Sequence, residues 1–185
     1  MKKQLKIVVL AKQVPDTRNV GKDAMTPEGT VNRAALPAIF NPEDLNALEA
    51  ALFLKDETEG STVHILTMGP PRAADIIRDA IFRGADGGYL LTDRKFAGSD
   101  TLATSYALSC ALRKIQPDVI VAGRQAIDGD TAQVGPQIAE KLHLPQVTYA
   151  AEITKTGDEI TVKRMLEDGY MTIKDHTPCL ITCIK

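Results

Sequence analysis

The chain has only three cysteines, and Cys110, Cys179 and Cys183 form neither a C-x-x-C pair nor a cluster with histidine. So sparse and odd a set excludes a disulfide scaffold, argues against structural zinc, and suits reduced thiols in a reducing compartment. Excess charge is also lacking: 22 basic residues stand against 24 acidic ones with no long run of either sign. The basic stripe of a nucleic-acid binder is therefore missing, and DNA and RNA are set aside as partners. The apolar run near the start, residues 5–11, is too short for a secretory h-region with its cleavage site or for a membrane span, so a cytoplasmic protein with no membrane partner is expected. Neither G-x-G-x-x-G nor G-x-x-x-x-G-K-[ST] occurs, which removes the Rossmann dinucleotide fingerprint and the Walker loop. His64, His143 and His176 have no serine or cysteine nucleophile in a recognisable arrangement, so nothing makes a hydrolytic centre and each reads as structural or solvated.

What is present is a rhythm. At 185 residues the chain reads as a single nucleotide-binding domain, 1–185, able to bury its own core. Residues 5–11, 62–67, 89–91, 119–122 and 145–150 read as five strands, the first almost wholly apolar apart from Lys6, as a strand covered on both faces is. Between them come helical patterns beginning at Asn41-Pro42-Glu43-Asp44, after Met68-Gly69-Pro70-Pro71, at Asp100 and near Thr131. Asn41 is suited to cap, Pro42 fits the first helical position, and the acids suit the first turn. A long polar connection between Lys12 and Phe40 carries a small hairpin near Thr30 and Val31 or a functional loop. Residues 159–166, 170–174 and 179–184 form a terminal group of strands joined by tight turns. The fold class is therefore α/β, a doubly wound and mostly parallel sheet of order 3-2-1-4-5 with an antiparallel C-terminal extension; that it is of adenine-nucleotide-binding type is what the family resemblance given below implies. In that order the chain reverses between strands one and four, and ligands bind outside the carboxyl ends at such a switch point. This places Leu10, Ala11, Lys12, Gln13 and Val14 across one crevice from residues 123–131.

The densest polar motif lies there. Gly123, Arg124, Gln125, Ala126, Ile127, Asp128, Gly129, Asp130, Thr131, Gln133 and Val134 run from a buried strand into a helix. Backbone N–H groups from Ala126 to Thr131, at a helix N-terminus, are expected to hold phosphate. Gly129 would permit positive φ and close backbone approach. The plainer reading is a tight loop whose Asp130 or Thr131 caps the helix. Asp128 and Asp130 read as capping groups, with Mg²⁺ as the lesser alternative, because two bare carboxylates would repel a phosphate. Ser99, Asp100, Thr101, Thr104 and Ser105 gather hydroxyls at another helix start, suited to a second anionic contact or to a flavin ring, with Phe96 placed to cover a ring face or to pack beneath the helix.

Blocks of sequence in order along nearly the whole chain carry a family resemblance: K-Q-V-P-D-T from Lys12, N-P-E-D-L-N-A-L-E-A-A-L from Asn41, M-G-P from Met68, F-A-G-S-D-T-L-A-T-S from Phe96 and G-R-Q-A-I-D-G-D-T-A-Q-V-G-P from Gly123. Together they resemble the beta (small) subunit of electron-transfer flavoproteins. Residues 162–169 and 178–182 resemble that family's signature near the end of its core, with Met171 standing where Glu or Gln is usual.

The resemblance implies a heterodimer with a larger alpha subunit that carries FAD, moving electrons between a flavin-dependent acyl-CoA or other dehydrogenase, or NADH, and an acceptor. It implies nucleotide contacts at Leu10, Asn41, Pro42, Asp44 and Met68 and from Arg124 to Val134. The beta subunit is then an electron-transfer protein rather than an enzyme in itself, although a bifurcating complex would oxidise NADH. Simple carriers of the family hold AMP here and bifurcating members hold a second FAD; the Phe96 and Asp128 blocks resemble the bifurcating group more. The family's C-terminal docking loop and arm are expected to be missing from this chain. Two other classes remain open at this point: a universal-stress-like nucleotide-binding regulator, and a structural subunit with a vestigial crevice.

Overall fold

The computed structural model describes residues 4–16 and 36–185, together with residues 18, 24, 25, 27 and 29. Its elements in chain order are β1 (Lys6–Leu10), β2 (Gln13–Pro15), β3 (Ala38–Phe40), α1 (Pro42–Glu57), β4 (Thr62–Met68), α2 (Ala74–Phe82), β5 (Gly87–Leu91), α3 (Thr101–Ile115), β6 (Val119–Gly123), α4 (Val134–Leu142), β7 (Gln146–Thr156), β8 (Glu159–Leu166), β9 (Gly169–His176) and β10 (Cys179–Cys183). The hairpin expected near Thr30 and Val31 falls outside the described residues, while β2 and β3 pair antiparallel and close the base of that excursion.

One eight-stranded sheet runs β5-β4-β1-β6-β10-β7-β8-β9. The first four strands follow the expected 3-2-1-4 order. The expected fifth strand, β7, is not the neighbour of β6, however, because β10 lies between them and pairs parallel with both. The antiparallel extension is therefore β7, β8 and β9 without β10. The reason lies in composition: Cys179-Leu180-Ile181-Thr182-Cys183 is buried at every position, as suits an interior parallel strand, whereas β9 is almost wholly exposed, as an edge strand can be. β7 changes from parallel to antiparallel pairing across a bulge, where Tyr149 takes a φ of 59°.

Strand alternation divides the core. Ile7, Val9, Val63, Ile65, Val119, Val121 and Ile181 face α1 and α2, together with Ile153, Ile160 and Val162 of the extension. Val8, Leu10, Leu66, Ile120 and Leu180 face α3 and α4. The register locks this: Ile7 pairs with Val63 on one side and Val119 on the other, and a one-residue slip would turn every apolar side chain to the wrong layer. α1 buries Ala47, Leu48, Ala51 and Leu54, a helical stripe in which each leucine contributes roughly 1.5–3 kcal/mol of transfer free energy. α3 ends at Gln116 and α4 at His143, both in the left-handed region with their N–H groups returned to the last turn. His143 is thus a helix terminator, in keeping with its structural reading.

Candidate functional site

The carboxyl ends of β1, β4 and β6 open on a crevice of about 640 Å³ on the α3/α4 side of the sheet. Its floor is apolar, made by Leu10, Leu66, Met68, Leu108 and Ala122. One wall is the segment from Phe96 through Thr104, and the other the loop from Gly123 to Gly135. Of the residues singled out from sequence, Leu10, Ala11, Lys12, Asp44, Met68, Ser99, Asp100, Thr101, Thr104, Gly123, Arg124, Gln125, Ala126, Gly129, Asp130, Thr131, Gln133 and Val134 all line it. Asn41, Pro42, Ile127 and Asp128 do not, and neither do Gln13, the buried Val14 or the buried Ser105, whose hydroxyl is tied to Leu102 and Gln137. Leu66, Leu108 and Ala122 also line it; their apolar run positions them, but only the order of the strands shows which of them reach the carboxyl edge.

The first turn of α1 fixes the loop after β6. Glu43 accepts a forked pair from the Arg124 guanidinium, 2.9 and 3.3 Å, and also accepts from the Gln125 N–H. Asp44 accepts from the Lys12 N–H at 2.9 Å and from the Gly123 N–H, which joins the exits of β1 and β6 through one carboxylate. Burial pushes the Asp44 carboxyl up to about 7, against the opposing pull of its hydrogen bonds to Asn41, Lys12 and Gly123. Lys12 extends from β1 to the Asp128 carboxylate at 2.7 and 3.0 Å, and the Asp128 side chain is only 3% exposed.

These contacts bear on four expectations drawn from the sequence. Asn41 sits at the helix cap position but makes no side-chain cap; its carboxamide instead donates to the Gln125 carbonyl and accepts from the Ile127 N–H. Neither Asp130 nor Thr131 caps α4, which starts at Val134 with Gln133 before it and no side-chain cap; Asp128 pairs with Lys12, and Asp130 accepts from Gln125. The N–H groups of Ile127, Gly129 and Asp130 are engaged by Asn41 or by the Ala126 carbonyl. Three of the six N–H groups from Ala126 to Thr131 are thus committed within the chain, and α4 itself opens with Val134 and Gly135 before Pro136, which has no N–H. Positive φ falls at Asp130 and Ala132, not at Gly129, around which an added Cβ meets nothing within 4 Å.

Asp100 caps α3 by accepting from the Ala103 N–H. The Thr101 hydroxyl is tied to Gln133 and Gln137 of the facing segment. Among the described residues no three His, Cys, Asp or Glu side chains gather as a metal site. The buried thiols of Cys179 and Cys183 are pushed up to about 12 by desolvation, so both are protonated and unreactive.

A mostly parallel, doubly wound sheet with an apolar-floored crevice at its switch point places the chain among the α/β proteins that bind ligands at the carboxyl edge of the sheet. Residues 28–185 match the family model described as "Electron transfer flavoprotein domain". The chain is 60% identical over 184 residues to the "Acryloyl-CoA reductase electron transfer subunit gamma" of Anaerotignum propionicum, covering 98% of this chain and 68% of that one. It is 51% identical over 182 residues to the "Caffeyl-CoA reductase-Etf complex subunit CarD" of Acetobacterium woodii, covering 98% and 69%. With the "Electron transfer flavoprotein subunit beta" of Megasphaera elsdenii it shares 51% over 188 residues, covering 98% and 69%. The chain belongs to the electron-transfer flavoprotein family, with the beta subunits, and its role is electron transfer. The stress-regulator alternative is not favoured by these matches.

Members of this family are flavin-associated electron carriers rather than catalysts, and their beta subunits pair with alpha subunits. No helix among the described residues is long and apolar enough to cross a membrane.

Proposed function

We propose that the crevice holds FAD, and that the chain acts with an alpha subunit as the beta half of a bifurcating carrier in the cytoplasm. One observation carries this: the crevice does not end at the loop before α4 but continues over an apolar floor to Phe96, Ser99 and Thr104 at the start of α3. AMP would use the Gly123–Gly135 wall alone. A planar ring system would also use Leu66, Met68 and Leu108 beneath it and hydroxyl donors at its polar edge. The relatives named as parts of acryloyl-CoA and caffeyl-CoA reductase systems support the same reading and point to a flavin-dependent dehydrogenase as partner. The second reading, a simple carrier holding AMP, is favoured by the polar crowding of the Arg124–Thr131 loop alone.

When bound, the flavin would supply the redox chemistry, and the chain's own residues bind and orient it. The α4 N–H groups face the phosphates, with Lys12 and Arg124 nearby and each neutralised by its own carboxylate partner. Asp100 and Asp130 already accept hydrogen bonds, so they present less bare charge to an anion than free carboxylates would. The proposed contacts are thus Leu10, Ala11, Lys12, Asp44, Met68, Ser99 and Thr104 with the lining residues of the loop, while Asn41, Pro42, Ile127 and Asp128 support the loop or lie away from the crevice. The whole chain is proposed as a single domain around this site. The test is a flavin count on the heterodimer, followed by addition of NADH. Two flavins with direct reduction by NADH are expected. One flavin plus one AMP, with no reduction by NADH, would reject the assignment.

A further inference from the structure

Asn41 is fully buried, lies outside the crevice lining, and has every polar group of its side chain engaged. The Nδ2 group donates to the Gln125 carbonyl at 2.9 Å, the side chain also hydrogen-bonds the Asp44 carboxyl, and Oδ1 accepts from the Ile127 N–H at 3.2 Å. Its backbone is equally committed: the N–H donates to the Lys12 carbonyl, and its carbonyl accepts from Asp44 and Leu45. One residue thus binds the exit of β1, the start of α1 and the crevice loop. We propose that Asn41 is a positioning residue that sets the loop 125–127 for nucleotide binding without touching the nucleotide. This rests on the reading of the crevice as a nucleotide site.

The chemistry is specific to a carboxamide. A carbonyl must be met by a donor and an N–H by an acceptor, two residues apart, from a side chain of fixed reach. Aspartate has the same shape but, when ionised, turns an acceptor on the Gln125 carbonyl and a second negative charge on Asp44. When protonated it regains one donor and one acceptor and again matches the loop. The charged groups on the elements joined here are Asp44, in contact with this side chain, Glu43 paired with Arg124, and Lys12 paired with Asp128; burial raises the pKa of an introduced aspartate, and Asp44 raises it further once it is ionised.

The experiment uses the complex with its alpha subunit, stripped of nucleotide, and measures AMP and FAD affinity by calorimetry from about pH 5.5 to about pH 8 for the parent, Asn41→Asp and Asn41→Ala. Amide hydrogen exchange at Ile127 is read in parallel. Asn41→Asp is expected to bind at least about tenfold more weakly than the parent at the alkaline end and to recover to within about threefold at the acid end, whereas Asn41→Ala stays weak throughout. Ile127 in the parent is expected to exchange at least about tenfold more slowly than Thr131, whether or not Asn41→Asp folds. Parent-like affinity of Asn41→Asp at every pH, or an unprotected Ile127 amide in the parent, overturns the proposal. If the parent binds neither AMP nor FAD while Ile127 is protected, the nucleotide reading fails and the role in binding fails with it, leaving only a loop clamp.

Discussion

Gly123 is pressed against Asp44: a Cβ added at Gly123 would lie 2.5 Å from the Asp44 Oδ1 and 2.6 Å from the Glu43 carbonyl carbon. Close approach, rather than turn geometry, is what this glycine provides. It lets the first turn of α1 rest on the end of β6, so that Glu43 reaches Arg124 and Asp44 reaches Lys12. Gly123→Ala is expected to lower stability by about 1–3 kcal/mol, because the displaced atoms are backbone and a buried carboxylate with no room to move. Urea denaturation checks this, and a loss below about 0.5 kcal/mol would show that α1 is free to retreat.

Asp44 gives the fold a definite pH dependence. Its carboxyl stands at about 7 in the folded chain against an ordinary 3.8, with burial the dominant cause. A group raised in this way binds more protons folded than unfolded, so its stabilising contribution is present below about 4 and is lost as the pH rises through about 7. A shift of that size corresponds to about 4 kcal/mol between those limits. Chemical denaturation of the parent and of Asp44→Ala at pH values across this window is expected to show a flatter profile in the variant. Identical slopes would mean that Asp44 titrates normally.

Much of the fold was legible from periodicity, since the apolar strands, the helix starts and the terminal turns are local signals. The order of strands was only partly so. Sequence proximity favoured a terminal antiparallel group, yet β10 inserts into the parallel sheet because its unbroken apolar run needs both faces covered. In the site, residues on the loop and on the β1 exit were recoverable from the switch-point rule. The roles of Asn41 and Asp128 were not, because their partners lie 84, 86 and 116 residues away and a buried polar side chain carries no local mark of whom it meets.

Gly129 provides a test of the crevice that leaves the fold alone. Its φ is not positive and a Cβ there meets no atom within 4 Å, so Gly129→Val should leave the melting temperature within about 2 °C of the parent. Gly129 lines the crevice assigned to the nucleotide, so the added side chain stands at the wall a phosphate would approach. Calorimetry should show at least about tenfold weaker binding of AMP or FAD. Unchanged affinity would place the ligand elsewhere.

His64 lies on β4 with its ring 5.8 Å from that of Tyr89, tilted by 31°. It belongs to strand packing and lies outside the crevice lining. His64→Gln is therefore expected to keep flavin content and electron transfer within about threefold, under roughly 1 kcal/mol. A much larger fall in turnover at normal flavin content, measured with a dye acceptor, would give this histidine a functional part.

The two helices that open on the crevice are held together by a short polar ladder. The Thr101 hydroxyl donates to the Gln133 Oε1 at 2.8 Å, the Gln137 Nε2 donates back to Thr101 at 3.3 Å, and Ser105 lies 2.9 Å from the Gln137 Oε1. Gln137→Leu keeps the volume and helix propensity but removes two of these contacts. Thr101 retains Gln133 and Ser105 retains the Leu102 carbonyl, so no buried hydroxyl is stranded and the stability cost should be near 1 kcal/mol. The spacing of Ser99 and Thr104 from the α4 N–H groups loses its tie, and a ligand reaching both walls should suffer more than one confined to the loop. FAD affinity is accordingly expected to fall about three- to tenfold while AMP affinity stays within about twofold. An equal loss for both nucleotides would show that the ladder supports the fold in general and does not set the distance between the two walls.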